Sequence, residues 1–127
     1  MKLIKFKPDF KDNRGSITDL FYSENINHVA HIKTVDISSI RGNHYHKKTT
    51  QAMYMVKGSL NYWYKQLNEK KSKCIRVKTG EMVVTLPNEV HALTFDEENE
   101  FIVFSWGLRG GKDYELDTFR VDSIIKL

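Results

Sequence analysis

The amino-acid sequence predicts a single all-β domain, with its strands arranged as an antiparallel sandwich or barrel. Its 127 residues fit one domain that buries a real core, so we treat residues 1–127 as one unit. About ten short strand-like runs, separated by turn residues at spacings of roughly 8 to 12 residues, are typical of such folds. Helical periodicity is almost absent, and the tail after Gly107 is the one candidate helix.

The first half of the chain supplies strands that are bounded by polar turns. The turn at 12–15 ends in Gly15, which can adopt a positive φ, and it separates the first two strands. We expect the run at 52–56 to pair with the run just before it, at 42–46. The predicted strands of this half are residues 3–6, 16–21, 29–37, 42–46 and 52–56.

The second half repeats the same alternation of strands and turns. Glycine or proline marks most of the turns, and the acidic segment 96–100 is interpreted as a solvated hairpin tip. Met53 and Met55 share one strand face and are assigned to the core. The predicted strands of this half are residues 60–64, 75–77, 82–86, 92–95 and 101–106.

Composition and charge exclude several classes of protein. The net charge of +4 is mild and the lysines are scattered between acids, so we expect no nucleic-acid partner. A mild positive bias is compatible with a small anionic substrate. Cys74 is the only cysteine, which excludes an intramolecular disulfide and a cysteine-rich metal site. Lysines interrupt the N-terminal residues, so we expect no signal peptide, no membrane association and a cytoplasmic location.

The segment 41–58 carries the strongest functional signal. His44 and His46 lie two residues apart, and in an extended strand both side chains point to the same face. In a helix they would be separated by about 200°. Two imidazoles that face one cavity are costly to desolvate unless they have a function. We therefore expect this pair to carry chemistry, and for His91 alone function and a structural role stay equally open.

The spacing of these residues resembles the cupin superfamily. His44-x-His46, then Gln51 where many members have glutamate, then Gly58, resembles the first cupin motif. Gly80, followed by Pro87-x-x-x-His91, resembles the second motif. This resemblance implies a double-stranded β-helix, or jelly-roll, barrel in which the histidine side chains point inward. It also implies a homodimer.

A closer resemblance is to the sugar-nucleotide 3,4-ketoisomerases, which act on dTDP-4-keto-6-deoxyglucose. The element Arg41-Gly-x-His44 is also similar to the dTDP-4-dehydrorhamnose 3,5-epimerases, and the tail at 114–119 to cupin domains of capsular polysaccharide proteins. All three comparisons imply sugar-nucleotide chemistry in polysaccharide biosynthesis. The ketoisomerases carry a tyrosine in the strand before the Arg-Gly turn, where this chain has Lys33 or Thr34. The matching segments are residues 12–16, 41–51 and 87–95.

The resemblance implies a catalytic role for the histidine pair without any metal or other cofactor. A histidine suits a base that must return its proton, because its ordinary pKa lies near neutrality. His44 and His46 are therefore the predicted catalytic pair. One would remove the proton from C3 of the sugar, and the other would move protons between the C3 and C4 oxygens.

Further residues are candidates for binding a nucleotide-sugar substrate. The guanidinium of Arg41 suits a pyrophosphate oxygen. Tyr62 and Tyr64, with Trp63 between them, are candidates to line the sugar or stack on the base, although packing or a dimer interface explains them equally well. Arg109-Gly110-Gly111 is a candidate phosphate-binding turn, and a plain turn is the favoured interpretation. The predicted substrate-binding set is Arg41, Gln51, Tyr62, Tyr64 and His91.

The main alternative is a metal site. His44, His46, Gln51 and His91 fall on the four ligand positions of metal-binding cupins, and three imidazoles with one oxygen suit zinc, iron, nickel or manganese. A neutral amide oxygen is a poorer ligand than a carboxylate, so we favour the metal-free interpretation. A third possibility is a non-catalytic module that binds a sugar or a metal and partners a larger biosynthetic enzyme.

Overall fold

The computed structural model describes residues 1–107 and 111–126, so Arg109 and Gly110 of the candidate phosphate-binding turn lie outside the described residues. These residues form twelve strands and one short helix. The strands are β1 (Lys2–Lys5), β2 (Phe10–Asp12), β3 (Gly15–Ile17), β4 (His28–Thr34), β5 (Arg41–Tyr45), β6 (Thr50–Lys57), β7 (Ser59–Gln66), β8 (Lys73–Lys78), β9 (Glu81–Thr85), β10 (Glu89–Thr94), β11 (Asn99–Trp106) and β12 (Phe119–Arg120). The helix α1 spans Gly111–Leu116, within the tail in which a helix was expected.

Two antiparallel five-stranded sheets pack face to face. The first sheet has the strand order β1-β9-β6-β11-β4, and the second has the order β12-β5-β10-β7-β8. Strands β2 and β3 form a separate hairpin. Because most neighbours within a sheet are distant along the chain, the topology is that of a jelly roll. The expectation of an all-β jelly-roll domain is confirmed.

The core lies between the two sheets and follows from the alternation of side chains along each strand. In β11 the residues at Asn99, Phe101, Val103 and Ser105 are buried, whereas those between them are only partly buried. Met53 and Met55 are buried, as expected. The main apolar cluster consists of Met53, Met55, Leu60, Tyr62, Val77, Val83, Leu93, Phe95, Phe101 and Val103.

The strand pairing expected for the central segment is wrong. Strand β5 pairs with β10 and β12, whereas β6 pairs with β9 and β11. The short connection at 46–49 carries the chain from the second sheet to the first, so neighbouring strands in the sequence face each other across the core. Strand positions can be read from local alternation, but strand partners depend on contacts that are distant in sequence.

Two other expected strands are shorter than the sequence suggested. The strand expected at 16–21 ends at Ile17, because it pairs only with the three residues of β2. The strand expected at 29–37 ends at Thr34, where its ladder with β11 ends. Among the described residues, no helix is long and apolar enough to cross a membrane.

Candidate active site

Three histidines meet at one end of the space between the sheets. His44 on β5 lies directly opposite His91 on β10 in the antiparallel ladder, and their ring centroids are 4.7 Å apart. His46 follows just after β5, with its ring 4.8 Å from that of His44 and 5.4 Å from that of His91. One ring nitrogen from each of the three lies within 4.8 Å of the others. The expected convergence of the two cupin-like motifs is therefore realised in the structure.

Gly42 allows the two histidine-bearing strands to approach closely. It has a φ of +92°, and a Cβ at this position would lie 2.7 Å from the carbonyl oxygen of His91. Any other residue would therefore clash with backbone and adopt an unfavourable conformation. The ladder between β5 and β10 also has an irregularity between His91 and Ala92. The Arg-Gly pair that begins β5 thus sets the spacing of His44 and His91.

Backbone carbonyls fix the ring orientation of the two buried histidines. His46 Nδ1 donates to the carbonyl oxygen of Asp117 at 2.8 Å, and His91 Nδ1 donates to the carbonyl oxygen of Glu89 at 3.2 Å. A carbonyl oxygen only accepts, so in the neutral rings the proton is on Nδ1 and the basic lone pair is on Nε2. Burial, followed by the proximity of His44, lowers the pKa of His91 to about 3. His91 is therefore neutral at physiological pH.

The ring of Tyr62 packs against the ring of His91. Its ring is nearly parallel to that of His91, at 4° and 6.1 Å between centroids. Its hydroxyl donates to Glu89 Oε1 at 2.9 Å and lies 2.5 Å from the hydroxyl of Thr85. Burial, followed by the Glu89 carboxylate, raises the pKa of Tyr62 well above its ordinary value. The other oxygen of Glu89 accepts from the terminal ammonium of Met1, so this buried carboxylate has two partners.

A cavity of about 280 Å³ opens beside the histidines. The second sheet contributes one side of its lining, which we call the polar wall. The first sheet contributes the opposite side, which we call the apolar wall, and Tyr114 of α1 adds to the lining. The polar wall consists of Arg41, Gly42, His44, His91, Leu93 and Arg120, and the apolar wall of Ile32, Gln51, Met53, Phe101 and Val103.

The structure brings most of the candidate residues from the sequence to this cavity. Arg41, His44, Gln51 and His91 line it. His46 is only 1% exposed and lies behind His44, against the tail.

The two tyrosines of the candidate binding set are placed differently. Tyr62 and Tyr64 both lie outside the described lining of the cavity, on β7, which is separated from β5 by β10. Tyr62 is fully buried and packs against His91, so its side chain does not line the cavity. Tyr64 packs near Tyr62, with a centroid distance of 5.8 Å. The alternation of side chains along β7 does not reveal that β10 separates the two tyrosines from the cavity.

Two polar residues that line the cavity were missed by reasoning from the sequence, and both belong to the tail. Tyr114 lies 5.5 Å from the ring of His46 and 6.3 Å from that of His44 between centroids. Arg120 lies opposite His44 in the ladder of β12 with β5, and its guanidinium pairs with Glu115. The resemblance of the tail at 114–119 to capsular polysaccharide proteins was the available signal, but it did not indicate where the tail packs.

A family model described as the polysaccharide biosynthesis C-terminal domain matches residues 10–119. The chain belongs to this family. A comparison of the sequence with curated proteins finds no match. Membership in the polysaccharide biosynthesis C-terminal domain family agrees with the resemblance found in the sequence, because its match includes the segments that carry all three histidines.

Solved structures extend this relationship. A double mutant of the QdtA 3,4-ketoisomerase from Thermoanaerobacterium thermosaccharolyticum, in complex with TDP, is 28% identical, with a TM-score of 0.76 over 94% of this chain and 86% of that one. The WlaRB TDP-quinovose 3,4-ketoisomerase from Campylobacter jejuni is 20% identical, with a TM-score of 0.76 over 94% and 92%. A dTDP-4-dehydrorhamnose 3,5-epimerase from Elizabethkingia anophelis is 13% identical, with a TM-score of 0.71 over 87% and 71%. The resemblance to cupin-type sugar-nucleotide enzymes is confirmed.

Proposed function

We propose that this protein is a sugar-nucleotide isomerase of the 3,4-ketoisomerase type, acting in the biosynthesis of a surface glycan. Its substrate would be a nucleotide-linked 4-keto-6-deoxy sugar, in which the keto group moves from C4 to C3. The observation that carries this proposal is the histidine cluster, with His44 on the cavity wall and His46 directly behind it. The 28% identity to a TDP-bound 3,4-ketoisomerase supports the same reaction.

The cavity suits the sugar, and its rim suits the diphosphate. A volume of about 280 Å³ lies near the lower end of ordinary ligand pockets, so it would hold the sugar ring while the nucleoside extends outward. Arg41 and Arg120 both line the cavity, and two guanidiniums match the oxygens of a diphosphate. Gln51 and Tyr114 line the same cavity and would hydrogen-bond the sugar hydroxyls.

The isomerisation needs only proton transfers. A base removes the proton from C3, the electron pair forms a double bond between C3 and C4, and the C4 oxygen takes a proton to give an enediol. Loss of the C3 hydroxyl proton and delivery of a proton to C4 then yield a C3 ketone and a C4 hydroxyl. We assign the removal of the C3 proton to His44, which lines the cavity, and the transfers between the oxygens to His46.

The cluster favours a single mobile proton. The three rings are so close that a second imidazolium would be repelled by the first. His91 is neutral at physiological pH and presents its Nε2 lone pair, so it can accept a hydrogen bond from a sugar hydroxyl. The apolar wall limits the access of water to the enediol intermediate.

Incubation of the purified protein with TDP-4-keto-6-deoxyglucose tests the proposal, because a mutant of QdtA has been crystallised with this compound. We expect a 3-keto product that nuclear magnetic resonance identifies by its C3 carbonyl carbon. His44→Asn serves as the matched negative control, with its fold checked by circular dichroism. Tight binding of the nucleotide sugar without any turnover would instead support the non-catalytic binding module. Exchange at C3 and C5 with retention of the C4 ketone would indicate a 3,5-epimerase.

A metal-dependent cupin is the second candidate, and the convergence of three imidazoles favours it. His44, His46, Gln51 and His91 would hold the ion, and nitrogen atoms within 4.8 Å of one another come within range of one zinc, iron, nickel or manganese ion after small ring movements. Such an ion would act as a Lewis acid towards the keto oxygen. The carbonyl-bonded Nδ1 atoms of His46 and His91 suit this role as well as the metal-free one.

Metal analysis separates these two candidates. The metal-free proposal predicts substoichiometric transition metal in the active protein and full turnover after chelation. Stoichiometric metal that is lost together with activity, and restored with it, would establish the alternative. Gln51→Glu sharpens the test, because a carboxylate at this position should raise the affinity for added Zn²⁺.

We also propose that the protein is a cytoplasmic homodimer. Strand β4 is an edge of the first sheet, and the exposed fraction of Val29 on it is 56%. The nearby Val35 and Ile40 are 74% and 57% exposed. An edge strand with exposed apolar side chains favours pairing with a second copy. Sedimentation should give the mass of a dimer, and Val29→Lys should shift it towards the monomer; a monomer at all concentrations would contradict this.

A further inference from the structure

Asp117 joins the tail to the segment that follows His46. Its carboxylate accepts hydrogen bonds from the backbone nitrogens of Lys47 at 2.9 Å and Lys48 at 3.0 Å, and from the Thr49 hydroxyl at 2.7 Å. The side chain is only 2% exposed. These donors belong to the connection at 46–49 that carries the chain between the two sheets. One buried carboxylate therefore fixes this connection to the tail.

The carbonyl oxygen of the same residue accepts from His46 Nδ1 at 2.8 Å. Asp117 thus holds both the imidazole of His46 and the three residues that immediately follow it. Because the carbonyl oxygen only accepts, this contact keeps the proton of the neutral ring on Nδ1 and the basic lone pair on Nε2. A ring that must take and return protons through one nitrogen depends on such a fixed tautomer.

The carboxylate is ionised, which suits its acceptor role. Burial acts to raise the pKa of Asp117, but the hydrogen bonds from Thr49, Lys47 and Lys48 outweigh burial and hold the pKa below its ordinary value. An ionised carboxylate offers acceptors alone, and here it faces donors alone.

The same residue ends the helix that carries Tyr114. The backbone nitrogen of Asp117 donates to the carbonyl oxygen of Tyr114 at 3.2 Å, and the Thr118 hydroxyl donates to the same oxygen at 2.5 Å. Tyr114 lies against the rings of His44 and His46. The position of Asp117 therefore determines both the orientation of His46 and the placement of Tyr114 over the histidine pair.

We propose that Asp117 is a positioning residue that sets the tautomer and orientation of His46 for proton transfer. Its expected effect on turnover rests on the proposed isomerase function, whereas its effect on the His46 ring does not. Loss of the carboxylate would leave the backbone donors at 47 and 48 without their acceptor. The tail would then separate from the connection at 46–49, and His46 Nδ1 would lose the oxygen that fixes its proton.

The direct test is nitrogen-15 magnetic resonance of the imidazoles in the full chain, with His46 assigned by its loss in His46→Gln. In the native protein, at a pH where the ring is neutral, we expect the proton of His46 on Nδ1. In Asp117→Asn we expect a mixture of both tautomers, because the amide presents donors to the backbone nitrogens. The matched control is Asp122→Asn, an exposed residue of the same tail, which should leave the native signal unchanged.

Turnover provides the second readout. Asp117→Asn should lower kcat roughly 10- to 100-fold, in line with the loss of groups that orient a functional histidine. KM should change less than kcat, because Arg120 remains held by the pairing of β12 with β5 even if Tyr114 shifts. If the native enzyme shows no isomerase activity, the proposed function fails, yet the tautomer measurement still decides the role of Asp117.

A folded Asp117→Asn variant with the native tautomer would overturn the proposal, even if its melting temperature were lower. If this variant does not fold, Thr49→Val provides the decisive measurement, because it removes only one hydroxyl from the carboxylate. We then expect faster exchange of the His46 Nδ1 proton with water. An unchanged exchange rate would overturn the proposal.

Discussion

The two walls of the cavity come from different sheets and differ in chemistry. Among the described lining residues, every titratable side chain except that of Tyr114 lies on the polar wall. The side chains of the apolar wall are apolar except for Gln51. One sheet therefore supplies the reactive groups, and the other supplies a dry surface against which the sugar can be held. This division suits the proposed isomerisation of a keto sugar.

The largest expected effect comes from His44 on the polar wall and His46 behind it. His44→Asn or His46→Asn should reduce turnover roughly 10²- to 10⁴-fold, because a positioned general acid or base contributes that much. Circular dichroism and thermal unfolding should show an intact fold. If both variants retain native turnover of a keto-sugar nucleotide, the assignment of the proton-transferring pair is wrong.

Arg120 of the polar wall should affect the binding of the nucleotide sugar. Arg120→Ala should raise KM for the nucleotide sugar roughly tenfold and leave kcat nearly unchanged, because a charge-assisted hydrogen bond to phosphate is lost. Initial rates over a range of substrate concentrations provide the measurement. Arg76→Ala is the matched control, since Arg76 lies on strand β8, away from the cavity, and forms an ion pair with Asp96. Equal KM values for the two variants would remove Arg120 from the binding site.

The neutral His91 should make stability depend on pH. Its pKa is about 3 in the folded protein and about 6.5 when unfolded, so the unfolded chain binds the proton more readily. The contribution of the neutral His91 to the free energy of unfolding is present above pH 6.5. It falls by about 2 kcal/mol between pH 7 and pH 5 and continues to fall towards pH 3. Urea unfolding of the native protein and of His91→Gln at pH 7 and 5 measures the difference. Identical pH dependence in the two proteins contradicts a buried neutral His91.

The smallest effect is expected on the apolar wall. Met53→Leu conserves volume and polarity, so it should lower the free energy of unfolding by less than about 1.5 kcal/mol and preserve turnover. Met53→Gln is the sharper comparison, because its amide introduces a polar group into the dry surface. Chemical unfolding and initial rates on both variants would show whether stability and turnover require an apolar side chain at this position. Full turnover in Met53→Gln would show that its dryness has no catalytic role.

Much of the fold was accessible from the sequence, because local alternation determines where strands occur. His44 and His46 face one cavity as the strand period required, and His91 joins them as the cupin resemblance implied. The pairing of β5 and β6 could not be predicted, since their partners are determined by contacts distant in sequence. Those partners place the two strands on opposite walls of the cavity.

The tail was the part of the site that local reasoning could not place. Tyr114 and Arg120 lie far along the chain from the histidine motif, and nothing in their spacing indicates a cavity. The placement of Tyr114 depends on Asp117, whose hydrogen bonds to residues 47–49 span about seventy positions of sequence. Strands β5 and β10 of the polar wall carry recognisable sequence motifs. The tail beside them has no such motif and is held in place by the buried carboxylate of Asp117.

The proposed isomerisation depends on proton transfer by His44, on the polar wall, and His46, behind it, without a metal. The most direct test is the reaction of chelator-treated protein with TDP-4-keto-6-deoxyglucose in heavy water, followed by mass spectrometry and nuclear magnetic resonance. We expect a 3-keto product that carries solvent deuterium at C4, formed at the same rate as by the untreated protein in heavy water. Loss of both product and deuterium on chelation, with recovery when a divalent metal is added, would contradict it.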